Sequence, residues 1–442
     1  MKIRLNNIYF LIVANLIIIA VLIFILKPSW QIGGDGYGYY IYLRSLVFDR
    51  NFDFTNEYQQ FDKLYGANMS ANITSAGKAS NLFSIGPGIL WSPFFAAAYA
   101  VEKNWRLADR RHELEGFGPP YQIAIFFAAL FYFIWGLALT YLSLKDLFNK
   151  KIAVAASSII WLISPMIFYL IYEPSMSHVF SFFALSGLFY FCLKYKNNLN
   201  PKEYIVLGFW LGLAILVRWQ NIMVIIFPLY ILFSNRLMFF GNKIKSFLYF
   251  ILTGLIVFLP QLLMWRYLFG KFVLIPQGHD FFNWSNPQFF NFLFSGYHGM
   301  FIWQPLLAIC LLGLIFYFRW QKSLVFVLLL ILFGQIYINS ATVDWMGGRS
   351  FGARRMSDYI FIFAVGLAFI LDYLKHKRKR FLNRFIYLIL ILGLGWNLLL
   401  MVSSAKGLLP LDKPITMGQL LNSQKETFLT LFKNLSPTPI GD

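Results

Sequence analysis

Asp35 stands in GGDGYGYYIYLRS, a few residues past the first apolar run. A carboxylate held there can serve as a general base or as a metal ligand. The neighbouring glycines let a ligand approach the backbone closely, and Tyr37, Tyr39, Tyr40 and Tyr42 offer surfaces suited to an interface or to sugar stacking. A solvated turn beside an aromatic belt is the competing reading. Further on, FDRNFDFTNEY carries Asp49, Asp53 and Glu57. Asp53 is a candidate second carboxylate, whereas Asp49 and Glu57 are expected on a solvated face. Lys78, ahead of GPGILWSPFF, is either a phosphate contact or a solvated side chain.

Other ionisable groups sit in short turns between apolar runs. Glu173 and His178 lie in YEPSMSH, and such groups at membrane depth tend to line something polar, unless they are simply wetted at the surface. Arg218, in VRWQN, either pairs with a phosphate through parallel hydrogen bonds or snorkels to the interface. The segment DWMGGRSFGARRMSDY crowds Asp344, Arg349, Arg354, Arg355 and Asp358 among glycines. Arginine suits planar phosphate recognition, so a site for a lipid phosphate or pyrophosphate is expected there, with an Asp–Arg network tying spans together as the alternative. His279 and Asp280 in PQGHDFF, and His298 in SGYHGMF, add acid–base candidates on a loop whose aromatic density equally fits packing on a membrane surface. A divalent metal is a candidate cofactor without a full ligand set.

The elements that position these residues follow from composition. The chain of 442 residues is 59% hydrophobic and 13% charged, against about 25% charged in soluble domains, which excludes an ordinary soluble protein. Aromatic residues at 20% exclude a disordered one. The net charge of +19 marks one side of a membrane rather than nucleic acid, because Lys and Arg are retained in cytoplasmic loops. Two cysteines inside apolar runs make no disulfide framework.

An all-α integral membrane protein with about eleven transmembrane helices is expected, several of the runs being shorter than the about 20 residues that cross the hydrocarbon core. The runs are 8–26, 121–144, 152–171, 179–193, 204–217, 222–233, 247–265, 301–318, 324–338, 359–371 and 385–402. A further run, 82–101, is interrupted by Pro87 and Pro93. Had it crossed, the later basic loops, KHKRKR included, would face outward, against the positive-inside bias. It is therefore read as lying along or re-entering the outer surface. One polytopic domain follows, with a long outer first loop at 27–120 carrying surface helices, outer loops at 266–300 and 340–357, and an outer tail at 403–442. The expected location is a bacterial-type inner membrane.

A first span followed by an acidic residue in a long outer loop, a surface helix near GPG, many further spans and an outer arginine loop resembles the GT-C glycosyltransferase superfamily. Within it, the pattern is similar to bacterial relatives of protein O-mannosyltransferases and aminoarabinose transferases. The resemblance implies an inverting transfer from a polyprenyl phosphate-linked sugar to a hydroxyl of a glycan, lipid or protein acceptor on the outer face. It puts Asp35 at the catalytic acidic position and likens Lys78 to a basic residue ahead of a proline-containing segment. Two departures stand out: Pro87 is flanked by glycines where the aminoarabinose branch has a proline pair, and Asp35 is followed by Gly36 rather than a second acid. A lipid-linked glycan polymerase or ligase is the enzyme alternative. A transporter is the third, although no paired half-repeats are evident.

Overall fold

The structure, a computed structural model, describes residues 2–105, 115–197, 200–234, 238–377 and 380–433. Parts of KHKRKR and the end of the tail fall outside that set. The fold is all-helical. In chain order the helices are α1 (Lys2–Leu26), α2 (Asp35–Arg44), α3 (Thr55–Tyr65), α4 (Gly86–Trp105), α5 (Pro119–Lys145), α6 (Lys150–Leu162), α7 (Met166–Ile171), α8 (His178–Tyr195) and α9 (Glu203–Val217). They continue as α10 (Ile226–Ser234), α11 (Phe240–Phe269), α12 (Phe289–Phe294), α13 (Met300–Trp303), α14 (Pro305–Tyr317), α15 (Lys322–Ala341), α16 (Ile360–Lys377), α17 (Arg380–Ala405) and α18 (Met417–Lys433).

Among the described residues, seven helices are long and apolar enough to cross a membrane: Asn7–Leu26, Pro119–Lys145, His178–Tyr195, Phe240–Phe269, Lys322–Ala341, Arg354–His376 and Asn383–Ala405. Shorter apolar helices cover Glu203–Val217, Trp219–Ser234 and Pro305–Tyr317. Large apolar side chains lie bare on the long helices, Phe24 and Ile256 among them, as a bilayer as solvent allows. From Gly86 the 82–101 run forms α4, which continues to Trp105 and is not among the seven.

The expected span 152–171 is broken. Helix α6 stops at Leu162, and the chain turns through Ser164 and Pro165 before α7. Proline has no N–H to donate and disfavours helical geometry in the residue before it. The carbonyls of Leu162 and Ser164 instead accept from Nδ2 of Asn397 on α17, at 2.8 and 3.0 Å, which satisfies groups a broken helix would otherwise leave bare.

The chain forms two compact units, each assembled from separate stretches. One comprises Met1–Lys27, Leu144–Phe168 and Phe282–Asp442; the other comprises Pro28–Ser143 and Tyr169–Phe281. In the first, Asn15 of α1 donates to Ser158 at 2.9 Å and accepts from the Trp161 indole at 2.8 Å, a polar tie between apolar helices. In the second, the GxxxG pair Gly208 and Gly212 of α9 meets α11 so closely that a Cβ on either would lie 2.4 Å from the Phe250 carbonyl or 2.7 Å from that of Gly254. Small residues at that spacing let helix backbones pack in lipid.

Candidate functional site

The second unit builds its site on the segment after the first span. Trp30 donates its indole N–H to the Ile171 carbonyl at 2.9 Å and stacks on Phe126 at 3.9 Å, while the Ile32 amide donates to Gln122 at 2.6 Å. So anchored, the chain passes through Gly34, whose φ of 53° belongs to the left-handed region, and enters α2 with Asp35 as its first residue. A carboxylate in a first turn is favoured by the helix dipole.

Helix α2 is then pressed against the YEPSMSH turn. A Cβ on Gly36 would fall 2.2 Å from the Ser175 hydroxyl oxygen, so only glycine permits this approach. Ser177 of the same turn donates to the Tyr39 hydroxyl at 3.1 Å. Arg218 donates to Nδ1 of His178 at 3.0 Å and reaches Ser177 Oγ at 3.5 Å. The His178 ring is buried and packs 4.6 Å from that of Tyr169. Arg218 is aimed by the end of α9: its φ of −146° leaves the helix, and Asn221 locks the next turn by donating to Ser181 at 2.8 Å and to the Ala214 carbonyl at 2.9 Å. The GPG segment closes the same wall, since a Cβ on Gly86 would meet the Leu216 carbonyl at 2.3 Å.

Asp35, Glu173, His178 and Arg218, read from three separate segments, thus belong to one neighbourhood, with Asp35 and Glu173 half-buried. Asp53 is exposed and closes a turn, accepting from the Thr55 amide at 3.1 Å and hydroxyl at 2.6 Å. The Lys78 ammonium lies 5.0 Å over the Tyr267 ring, on a loop pinned to α11 by Thr74, which donates to the Leu268 carbonyl at 2.6 Å. His279 and Asp280 are fully exposed and lie 3.5 Å apart.

Glu57 and Asp49 depart from the solvated face expected of them. Glu57 has a fully buried side chain and accepts from Arg44 at 2.9 Å, and Asp49, largely covered, pairs with the same guanidinium. Arg44 also donates Nε–H to the Glu115 carbonyl at 3.1 Å. The reason lies in α2: a helix reading GYGYYIYLR buries its aromatic faces, so the arginine at its end enters the interior and requires carboxylates. Burial pushes the Glu57 carboxyl up to about 7, against the opposing pull of Arg44.

The arginine loop belongs to the first unit. Arg355 donates to Asp344 at 2.6 Å and to the Thr342 hydroxyl at 2.7 Å, which is the network reading of this loop for that residue. Arg349 is exposed and Arg354 half-buried, the latter's Nε lying 3.1 Å from where a Cβ on Gly347 would be. His298, 3% exposed, sits at φ 62° with Nδ1 at 2.9 Å from the Met346 carbonyl. Burial, with the nearby Arg354 cation, pushes its imidazole down to about 4 against the pull of that hydrogen bond.

Among the described residues no three His, Cys, Asp or Glu side chains converge, which is fewer protein ligands than a closed metal site takes.

Residues 116–265 match the family described as dolichyl-phosphate-mannose-protein mannosyltransferase, a segment that includes Glu173, His178 and Arg218. No curated protein matches the chain. That match, on an all-helical architecture with seven helices able to span a membrane among the described residues, bears out the resemblance read from the sequence: residues 116–265 are similar to a family of GT-C-type membrane glycosyltransferases.

Proposed function

We propose that the protein transfers a sugar from a polyprenyl phosphate to an acceptor hydroxyl at the outer face of a bacterial-type inner membrane. The observation that carries this reading is the packing of the Asp35 end of α2 against the turn that bears Glu173 and His178, beside Arg218. In the reaction, the acceptor oxygen forms a bond to the anomeric carbon as the bond from that carbon to the phosphate oxygen breaks. The electron pair leaves with the polyprenyl phosphate. Asp35 takes the hydroxyl proton, and Arg218 stabilises the charge that develops on the phosphate, the role preorganised donors play in transition states. Glu173 lines the same site as a hydrogen-bond acceptor.

Arg349 and Arg354 are the second candidate for the lipid phosphate, favoured by the presence of two cations in a glycine-punctuated loop that Arg355 and Asp344 brace.

The test supplies purified protein in lipid nanodiscs with a radiolabelled polyprenyl phosphate monosaccharide and, separately, a polyprenyl pyrophosphate glycan. Label passing to a hydroxyl acceptor from the first donor supports the reading. Transfer from the pyrophosphate glycan alone makes the protein a polymerase or ligase, and binding without transfer in either case leaves the transporter. Orientation is read in intact cells with a membrane-impermeant thiol reagent: Lys150→Cys is expected to stay unlabelled, and strong labelling there would reverse the topology.

A further inference from the structure

The first unit contains a groove whose lining includes none of the residues assigned to sugar transfer. Helices α14, α16 and α17 enclose about 430 Å³ of open space, within the roughly 300–1,000 Å³ range of ligand sites. Its walls are apolar, with Leu312, Phe316, Phe369 and Ile389 among them, and among the described residues the one charged side chain in its lining is Arg319. Trp320 and Tyr373 stand at the same end, both well exposed, and the Trp320 ring packs 5.1 Å from that of Phe369.

These features describe a lipid more closely than a water-soluble ligand. All three helices are apolar elements of a membrane protein, so acyl chains are the material available to fill an apolar cleft between them. Indole and phenol rings at its mouth match the headgroup level of a bilayer, where Trp and Tyr concentrate. Arg319 lies in the tight turn before α15 and makes no ion pair among the described residues. Lys322, Lys375 and Arg384 occupy the same ends of α15, α16 and α17. The nearby Asp372 lies 3.6 Å from His376 of its own helix. The mouth of the groove is therefore rich in positive charge, and basic pockets between transmembrane helices on the cytoplasmic side bind anionic headgroups.

We propose that this groove is a binding site for an anionic phospholipid, with one acyl chain between α14, α16 and α17 and the phosphate against Arg319.

The test uses native mass spectrometry of the full-length protein in detergent, incubated with phosphatidylglycerol or with phosphatidylcholine carrying the same acyl chains. The parent protein is expected to retain phosphatidylglycerol preferentially. Arg319→Gln is expected to lower that preference about five-fold, the worth of about one basic side chain near an anionic surface. Ile389→Trp, which fills the groove and keeps Arg319, is expected to reduce retention of both lipids; Leu312→Trp repeats the blockade from the opposite wall if that variant does not fold. Equal retention of the two lipids by the parent overturns the proposal, as does an unchanged preference in Arg319→Gln or unchanged retention in a well-folded blocked variant. Sugar transfer is not the readout, so failure here leaves the glycosyltransferase reading intact.

Discussion

A guanidinium nitrogen of Arg218 donates to Nδ1 of His178 across 3.0 Å. Arginine has no acceptor to offer, so Nδ1 is the unprotonated nitrogen and the ring proton sits on Nε2. The imidazole thereby holds the guanidinium in place without cancelling its charge.

Arg218→Lys replaces the planar fork by a point charge. A hydrogen bond to a charged group is worth about 1.5–3 kcal/mol, so the apparent affinity for the lipid donor should fall about ten- to a hundred-fold. His178→Gln, which keeps an acceptor, should fall less than His178→Ala. Donor titration at saturating acceptor measures both, and an unchanged affinity in Arg218→Lys would take the phosphate away from this residue.

Glu57 gives the fold a pH dependence. Its carboxyl in the folded protein is pushed up to about 7, above an unfolded value of about 4.3, so the folded state binds the proton more tightly. The stabilisation is fully present below the unfolded value and is lost as pH rises through about 7. Thermal unfolding in detergent between pH 5 and pH 8 should show this decline, and Glu57→Gln should flatten it. A slope that survives in Glu57→Gln would assign it to another group.

Arg355 and Arg349 share a loop but not a role. Removing the carboxylate in Asp344→Asn, or the fork in Arg355→Lys, should lower stability by about 1 kcal/mol, a value held down by the exposure of Asp344. The double variant should lose less than the sum, because the two side chains share one interaction. Arg349→Ala, at an exposed position, should leave stability within about 0.5 kcal/mol. A loss of donor affinity in that variant would assign the phosphate to this loop, and unchanged affinity would favour Arg218.

The membrane class and the long apolar helices were legible because each depends on local composition: continuous apolar runs, with charged residues in the turns between them. Convergence was not. That Asp35 lies beside YEPSMSH depends on Gly36 admitting Ser175, a contact between distant segments that no local pattern announces. Burial of Glu57 was missed for a related reason, since an acidic residue in a loop reads as solvated until its partner is known. A signal was available in Arg44, a lone cation ending a helix of aromatic residues. The break after Leu162 was signalled by Pro165, which the continuous hydropathy of 152–171 masked.

The most direct measurement is single-turnover transfer by Asp35→Asn against the parent protein, in nanodiscs, with the polyprenyl phosphate sugar in excess. The substitution keeps the side chain's size and removes its charge and basicity. Loss of general-base assistance typically lowers a rate about 100- to 10,000-fold, and a fall in that range is expected, with normal expression and unchanged donor affinity. Near-parental turnover in a well-folded Asp35→Asn would contradict the assignment of the catalytic carboxylate and shift it to Glu173.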